Sequence, residues 1–298
     1  MIVTPAKLTS FGLVGQTPTD MPPRLRETLQ AAPRAIRSRV LERLSPGDQP
    51  RRVIAYPVLG EFGQLGNQLW QIAGTLGIAA TLRANVDFPQ WSYRELFSVP
   101  DHYFGNQPPL WQDSRGFVSS MKPNFTHYLQ DYSLWRHIDQ RVRRFFSPSP
   151  AAQARMEEKF AELLRVPNKT ALHVRRGDYL RHPGNHPVPT EQYYRAAVER
   201  LPRTNIVIFS DDIEWCRENL AWTNPVQFVD GNADHEDLFL ISQCKHHVIA
   251  NSSFSWWGAF LSRNRRPIYP RPWFGDELMA QGVDPTLMFP TTWIGLDD

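Results

Sequence analysis

The chain has 298 residues, with 33 Lys and Arg against 30 Asp and Glu, a net charge of +3 and a hydrophobic share of 41%. That length suits one large domain or two modest ones, and 10 Trp with 17 Phe supply enough apolar bulk for a packed core rather than gross disorder. The nearly balanced charge argues against a dedicated nucleic-acid binder, which would be more basic or carry a continuous basic stripe.

Residues 1–50 read as an N-terminal extension, partly helical and rich in Pro, Arg and small polar residues. The opening MIVTPAKLTSFGLVGQTPTDMPP lacks a basic start followed by an apolar stretch, so no signal peptide is expected. From Pro23 to Leu44, Leu25, Leu29, Ala32, Ile36, Val40 and Leu44 recur on roughly one side of a helix dotted with arginines. A solvated amphipathic helix is the plainer expectation; peripheral membrane contact through 23–52 is the alternative.

VIAYPVL (53–59) reads as a strand, GEFGQLGN (60–67) as a loop, and the residues from Leu69 to Ala80 as a helix. The uncharged run 62–82 has the length of a membrane span. It also holds Gln64, Asn67, Gln68 and Gln71, which are costly in lipid, so a buried helix entered through a polar loop is expected instead. Residues 85–150 are dense in aromatics and prolines and predict short strands and loops, with a linker or helix start at SPSPAAQ (147–153).

The second half alternates strand, polar loop and helix: TALHV then RRGDY, NIVIFS then Asp211-Asp212, PVQFVD, and HHVIAN then SSFS, with RPIYP as the last strand. This pattern predicts a parallel sheet with crossover helices, and ligands of such sheets bind outside the carboxyl ends of the strands. The division expected is 1–50 as extension, 51–150 as an N-terminal domain, and 151–298 as a C-terminal domain.

The strand ends carry the chemistry. His173, Arg175, Arg176 and Asp178 follow one strand; Asn251, Ser252, Ser253 and Ser255 follow another, just before a helix. Two guanidiniums facing a serine-rich helix start make a site for a diphosphate, because arginine offers a bidentate permanent charge and the helix start offers free N–H groups. A nucleotide-sugar donor needs such a site. Asp178 is the carboxylate nearest that loop, and catalytic base or structural anchor are both open to it.

Other chemistries are weakly supported. The loop GQLGNQL lacks the GxGxxG spacing of a dinucleotide fingerprint and the GxxxxGK[ST] of a P-loop. Cys216 and Cys244 are too few for a disulfide framework or a four-cysteine zinc site and read as buried thiols, which fits a reducing, cytoplasmic setting. Adjacent His246 and His247 would point to opposite faces of a strand and not share an ion. No metal is expected.

Taken together, GQLGNQLWQIA (63–73), LHVRRGDYL (172–180), FSDD (209–212) and DLFLISQCKHHVIANSSFSWWGAFLS (237–262) closely resemble the alpha-1,2-fucosyltransferases of glycosyltransferase family 11. The resemblance implies a GT-B-like α/β fold of two Rossmann-like domains with parallel sheets facing across a cleft, a GDP-fucose donor, a glycan acceptor, inversion at the anomeric carbon and no required metal or other cofactor. It implies that Arg175 grips the diphosphate, that Arg176 stabilises or assists its loop, and that His173 and Asp237 contact guanosine. Ser252 caps the phosphate-facing helix; Ser253, Phe254 and Ser255 line the phosphates and fucose; Gly66, Asn67 and Gln68 face the donor from the other domain. Another linkage, a protein acceptor, or a non-catalytic nucleotide-sugar or glycan-binding role are the alternatives.

Overall fold

The computed structural model describes residues 53–106, 128–262 and 266–298. The extension 1–50 and its helix 23–44 lie outside the described residues. The chain divides into two compact units. The first comprises residues up to 63, with 70–95 and 99–145; the second comprises 64–69, 96–98 and 146–298.

In the first unit, β1 (Val53–Ala55) and β2 (Asn85–Asp87) pair in parallel, Ile54 opposite Val86. Strand β1 stops sooner than expected: Pro57 has no N–H to give a ladder, and the Leu59 N–H donates to the Tyr56 carbonyl in a turn instead. Helix α1 (Leu65–Leu82) joins the strands. Leu65, Leu69, Trp70, Ile72, Ala73 and Leu76 are buried together with Gln68, Gln71 and Thr75, so this is a core helix, wet by amides on no side. Among the described residues no helix is long and apolar enough to cross a membrane. Trp70 meets Trp135 edge-on at 5.5 Å, and Tyr132 packs on Trp135 at 4.9 Å. The aromatic stretch otherwise forms 3-10 turns and α2 (Asp139–Phe145). The described residues of this unit thus carry two paired strands rather than a full Rossmann-like sheet.

The second unit opens with α3 (Pro150–Lys159), where Ser149 caps the helix and Pro150 takes its first position, and α4 (Ala161–Arg165). Its sheet has six parallel strands: β3 (Lys169–Val174), β4 (Asn205–Ser210), β5 (Val226–Val229), β6 (His246–Val248), β7 (Ile268–Arg271) and β8 (Ile294–Asp297). The helices between them are α5 (Glu191–Glu199), α6 (Ile213–Asn219), α7 (Asp234–Ser242), α8 (Ser253–Leu261) and α9 (Asp276–Ala280). The spatial order is β5-β4-β3-β6-β7-β8. The chain therefore works outward from β3 to β5, returns to lay β6 on the other side of β3, and works outward again. Strand β8 escaped the sequence reading because its four residues include a glycine and an aspartate and form no apolar run.

One core cluster beneath the sheet holds Leu172, Val174, Tyr193, Tyr194, Ile206, Ile208 and Val248. Helix α8 buries Trp256, Trp257 and Phe260, with Trp257 edge-on to Phe146 at 5.1 Å and Trp256 beside Trp293 at 5.2 Å. Each such side chain contributes roughly 1.5–3 kcal/mol of hydrophobic stabilisation. The boundary falls between Phe145 and Phe146 rather than after 150, because Phe97 packs on Phe146 at 6.0 Å and on Phe239 at 5.2 Å and draws 96–98 into this unit.

Candidate active site

The strand order reverses between β3 and β6. At such a reversal a doubly wound sheet usually offers a ligand crevice at the carboxyl ends of its strands. From β3, His173 is buried, and its Nδ1 has no hydrogen-bond partner among the described residues. Burial, then the charge of Arg175, pushes its pKa down to about 3, so the ring is neutral. It lies 5.6 Å from the Phe254 ring. A buried, unsatisfied ring nitrogen at a strand end is a polar group suited to an incoming ligand.

Arg175 is held on three sides. Its Nη2 pairs with Asp178 Oδ1 at 2.5 Å, its Nη1 with Asp211 Oδ2 at 3.2 Å, and its guanidinium carbon sits 5.4 Å from the Tyr179 ring centre. The Tyr179 hydroxyl donates to the Asn251 carbonyl at 3.1 Å, which ties the β3 loop to the end of β6. Burial pushes the Tyr179 pKa far above its usual value, so the hydroxyl stays protonated and donating.

Arg176 does not join Arg175. Its Nε donates to Asp212 Oδ2 at 3.2 Å and its guanidinium lies 3.9 Å over the Trp215 ring. Asp212 in turn caps α6 by accepting from the Trp215 N–H. The two guanidiniums expected to act together therefore part company, Arg175 going to Asp178 and Asp211 and Arg176 serving the join of β4 to α6. Two arginines against Asp178, Asp211 and Asp212 give this cluster more carboxylates than guanidiniums.

On the β6 side, Asn251 Nδ2 donates to the carbonyls of Pro187 at 2.7 Å and Trp273 at 3.2 Å and fixes the loop ahead of α8. Ser252 caps α8 by accepting from the Phe254 N–H at 3.3 Å. Ser255 is fully buried and its hydroxyl donates to Ala250 and Ser252 carbonyls, so it stitches strand to helix rather than lining the crevice. Ser253 donates to Asn67 Oδ1 at 2.8 Å. Residues Gly66, Asn67 and Gln68 belong to the same compact unit as Ser253, not to the other one. Gly66 marks the closest approach: a Cβ there would lie 2.5 Å from the Phe254 nitrogen.

Asp237 stands in the first turn of α7 and accepts from Asn232 Nδ2 at 2.9 Å. Burial raises its pKa to about 6. Among the described residues no group of three His, Cys, Asp or Glu side chains could hold a metal ion. His247 is buried with its Nε2 2.8 Å from the Ile241 carbonyl, and both cysteines are free and buried, as expected. Asp211, Tyr179 and Asn251 lay at the strand ends and loops that the sequence reading quoted, but it gave them no role in holding Arg175. Each stands beside a selected motif, but only the sheet order shows that they meet.

The chain is 33% identical over 202 residues to an alpha-1,2-colitosyltransferase of Escherichia coli, covering 62% of this chain and 67% of that one. It is 38% identical over 123 residues to the O-antigen biosynthesis glycosyltransferase WbnK of Escherichia coli, covering 37% of this chain and only 40% of that protein. It is 23% identical over 287 residues to a galactoside 2-alpha-L-fucosyltransferase of Caenorhabditis elegans, covering 82% and 80%. Among solved structures, the fucosyltransferase NodZ from Bradyrhizobium matches with a TM-score of 0.46 at 11% identity, covering 72% of this chain and 94% of that one. The profile of glycosyl transferase family 11 matches residues 84–297, well over half of the sequence, and the chain belongs to that family.

Proposed function

We propose that the protein transfers L-fucose from GDP-fucose to a glycan hydroxyl, with inversion, forming an alpha-1,2 linkage to a galactose-like residue. The observation that carries this is that the β3 loop is tied to the end of β6 and the start of α8 at the switch point of the sheet, through Tyr179, which lies under Arg175 and donates to the Asn251 carbonyl, and through His173 beside Phe254. A guanidinium and a helix N-terminus together hold a diphosphate and stabilise the charge it gains on leaving. Family membership supports glycosyl transfer. A two-domain GT-B arrangement, with the first unit on the acceptor side, is part of this reading.

In the reaction, the acceptor oxygen forms a bond to the anomeric carbon while the bond from that carbon to the diphosphate oxygen breaks, and the electron pair leaves with GDP. Arg175 takes up that charge. Asp178 pairs with Arg175 Nη2 and is half exposed, at 47%. A diphosphate that takes over Nη2 frees this carboxylate to accept the acceptor's proton. His173 and Asp237 hold the guanine, and Ser252, Ser253 and Phe254 frame the phosphates. Arginine and helix dipole together make a divalent ion unnecessary. The relative named for colitose transfer favours GDP-colitose as the second donor to try. The test is transfer from each GDP-sugar to galactosides, with and without excess EDTA. Transfer from GDP-fucose that persists in EDTA is the expected result; no transfer or donor hydrolysis with any GDP-sugar, or a loss restored by magnesium or manganese, overturns the corresponding part.

The pH dependence follows from Asp237. A carboxylate recognises guanine only when ionised, since both oxygens must accept N–H groups. Its pKa of about 6 means that it takes up a proton as pH falls through that value. Affinity for GDP should therefore be flat above about pH 7 and weaken steadily below about pH 6. Calorimetric titration with GDP across that range measures it, and a constant affinity down to about pH 5 would remove Asp237 from the guanine site.

A further inference from the structure

We propose that Asp211 is the positioning residue of Arg175, and that residue 177 is glycine so that the Asp211 carboxylate can reach the loop; this rests on the donor reading above. Strands β3 and β4 run side by side, with Val174 opposite Ser210, so the residues that follow each strand emerge as neighbours. The Asp211 carboxylate turns back across that gap. Its Oδ1 accepts the Arg176 N–H at 2.9 Å and its Oδ2 pairs with Arg175 Nη1 at 3.2 Å. One side chain thus fixes both the main chain next to Arg175 and one edge of its guanidinium.

The other edge is held differently. Asp178, on Nη2, is 47% exposed, whereas Asp211 is 25% exposed and anchored to the backbone. The geometry leaves Nη2 as the edge a ligand can take over and Nη1 as the fixed edge. Asp212, next in sequence, has separate duties in capping α6 and pairing with Arg176. Gly177 completes the arrangement. A Cβ at 177 would collide with Asp211 Oδ2 and come within 3.2 Å of its Cγ. Held by two bonds, this short side chain has no free rotamer to escape into.

Charge and position predict opposite signs here. Removing a carboxylate beside a phosphate-binding guanidinium should tighten anion binding if only Coulomb attraction counts. If Asp211 positions Arg175, its removal should weaken it, since small displacements of a binding group cost up to about 10²-fold. The experiment is calorimetric titration of the full chain with GDP, alongside donor and acceptor KM. Asp211→Ala and Gly177→Ala are each expected to weaken GDP roughly tenfold or more, with acceptor KM unchanged. Asp211→Asn keeps an oxygen for the Arg176 N–H but sets an amide NH2 against Arg175 Nη1, so it is expected to weaken GDP as well, though less than Asp211→Ala. Adding Gly177→Ala to Asp211→Ala should cost little more, because the colliding carboxylate is gone.

Wild-type or tighter binding by Asp211→Ala overturns the proposal, as does a Gly177→Ala defect that stays in full on the Asp211→Ala background. Should Asp211→Ala not fold, Gly177→Ala alone decides, because it retains the charge and displaces the carboxylate; wild-type affinity then overturns the proposal. A wild-type protein that binds no GDP overturns the donor reading and this inference with it. Binding by wild type with no loss in the variants overturns the inference alone.

Discussion

Arg175→Ala should lower transfer by roughly 10²–10³ in kcat, the usual loss when one donor to a developing oxyanion is removed. Two effects add. The first is loss of the guanidinium where the diphosphate gains charge, and such a contact strengthens in the transition state. The second is the charge left behind: Asp178, Asp211 and Asp212 remain with only Arg176, and that guanidinium is engaged by Asp212 and Trp215. The crevice then repels an anion. Arg175→Lys should recover only part of the activity. Nη1 and Nη2 address two different carboxylates at once, and a single ammonium cannot span them. Steady-state kinetics with GDP-fucose measure both variants, and an alanine variant with more than about half of wild-type turnover ends the assignment of Arg175.

Gly66→Ala should be strongly damaging although it lies outside the charged cluster. In a free helix, alanine would be favoured over glycine by roughly 1 kcal/mol. Here the added Cβ would sit 2.5 Å from the Phe254 nitrogen, 2.7 Å from the Ser253 carbonyl carbon and 2.8 Å from the Phe254 Cα. All three are backbone atoms of the first turn of α8, which cannot rotate aside. Either α1 or α8 must shift, at a typical overpacking cost of about 1–3 kcal/mol. The shift breaks the Ser253 to Asn67 hydrogen bond and moves the helix start that faces the diphosphate. The expected result is a melting temperature lowered by several degrees, with GDP affinity and turnover both depressed, the latter up to about 10²-fold. A variant that melts and binds as wild type would show that the two helix starts are not in tight register.

The parallel sheet was legible in the sequence because its central strands are short, largely apolar runs, each followed by a polar loop and a helix. TALHV and NIVIFS are buried on both faces, as strands covered by helices on both sides must be. Strand β8 and the early end of β1 were not legible, since a short edge strand has no such run and Pro57 acts through a missing N–H. The first unit stayed obscure for a related reason: its aromatics pack on one another, as Trp70 does on Trp135, in 3-10 turns without a repeating period. The candidate site was half legible. Strand ends and a helix cap mark Arg175 and Ser252 by position. The direction in which a side chain turns is not marked, so adjacent Arg175 and Arg176 looked alike and proved to face different partners. Ser255 likewise looked like a ligand group, and its place inside the first turn of α8 sends its hydroxyl to the backbone.

The return of β6 to the side of β3 also sets an order of events during synthesis. Arg175 leaves the ribosome with β3, but the partner strand on that side arrives only after two more strands and three helices have been made. Until Val248 can lie beside Leu172, one edge of β3, a strand buried along its whole length, is bare. Such an edge invites pairing with another chain, and long-range pairings of this kind form late. The crevice that reads the nucleotide is therefore completed at the step where the nascent protein is most exposed to misassembly, and a nucleotide that binds only the completed crevice would draw the chain past that step.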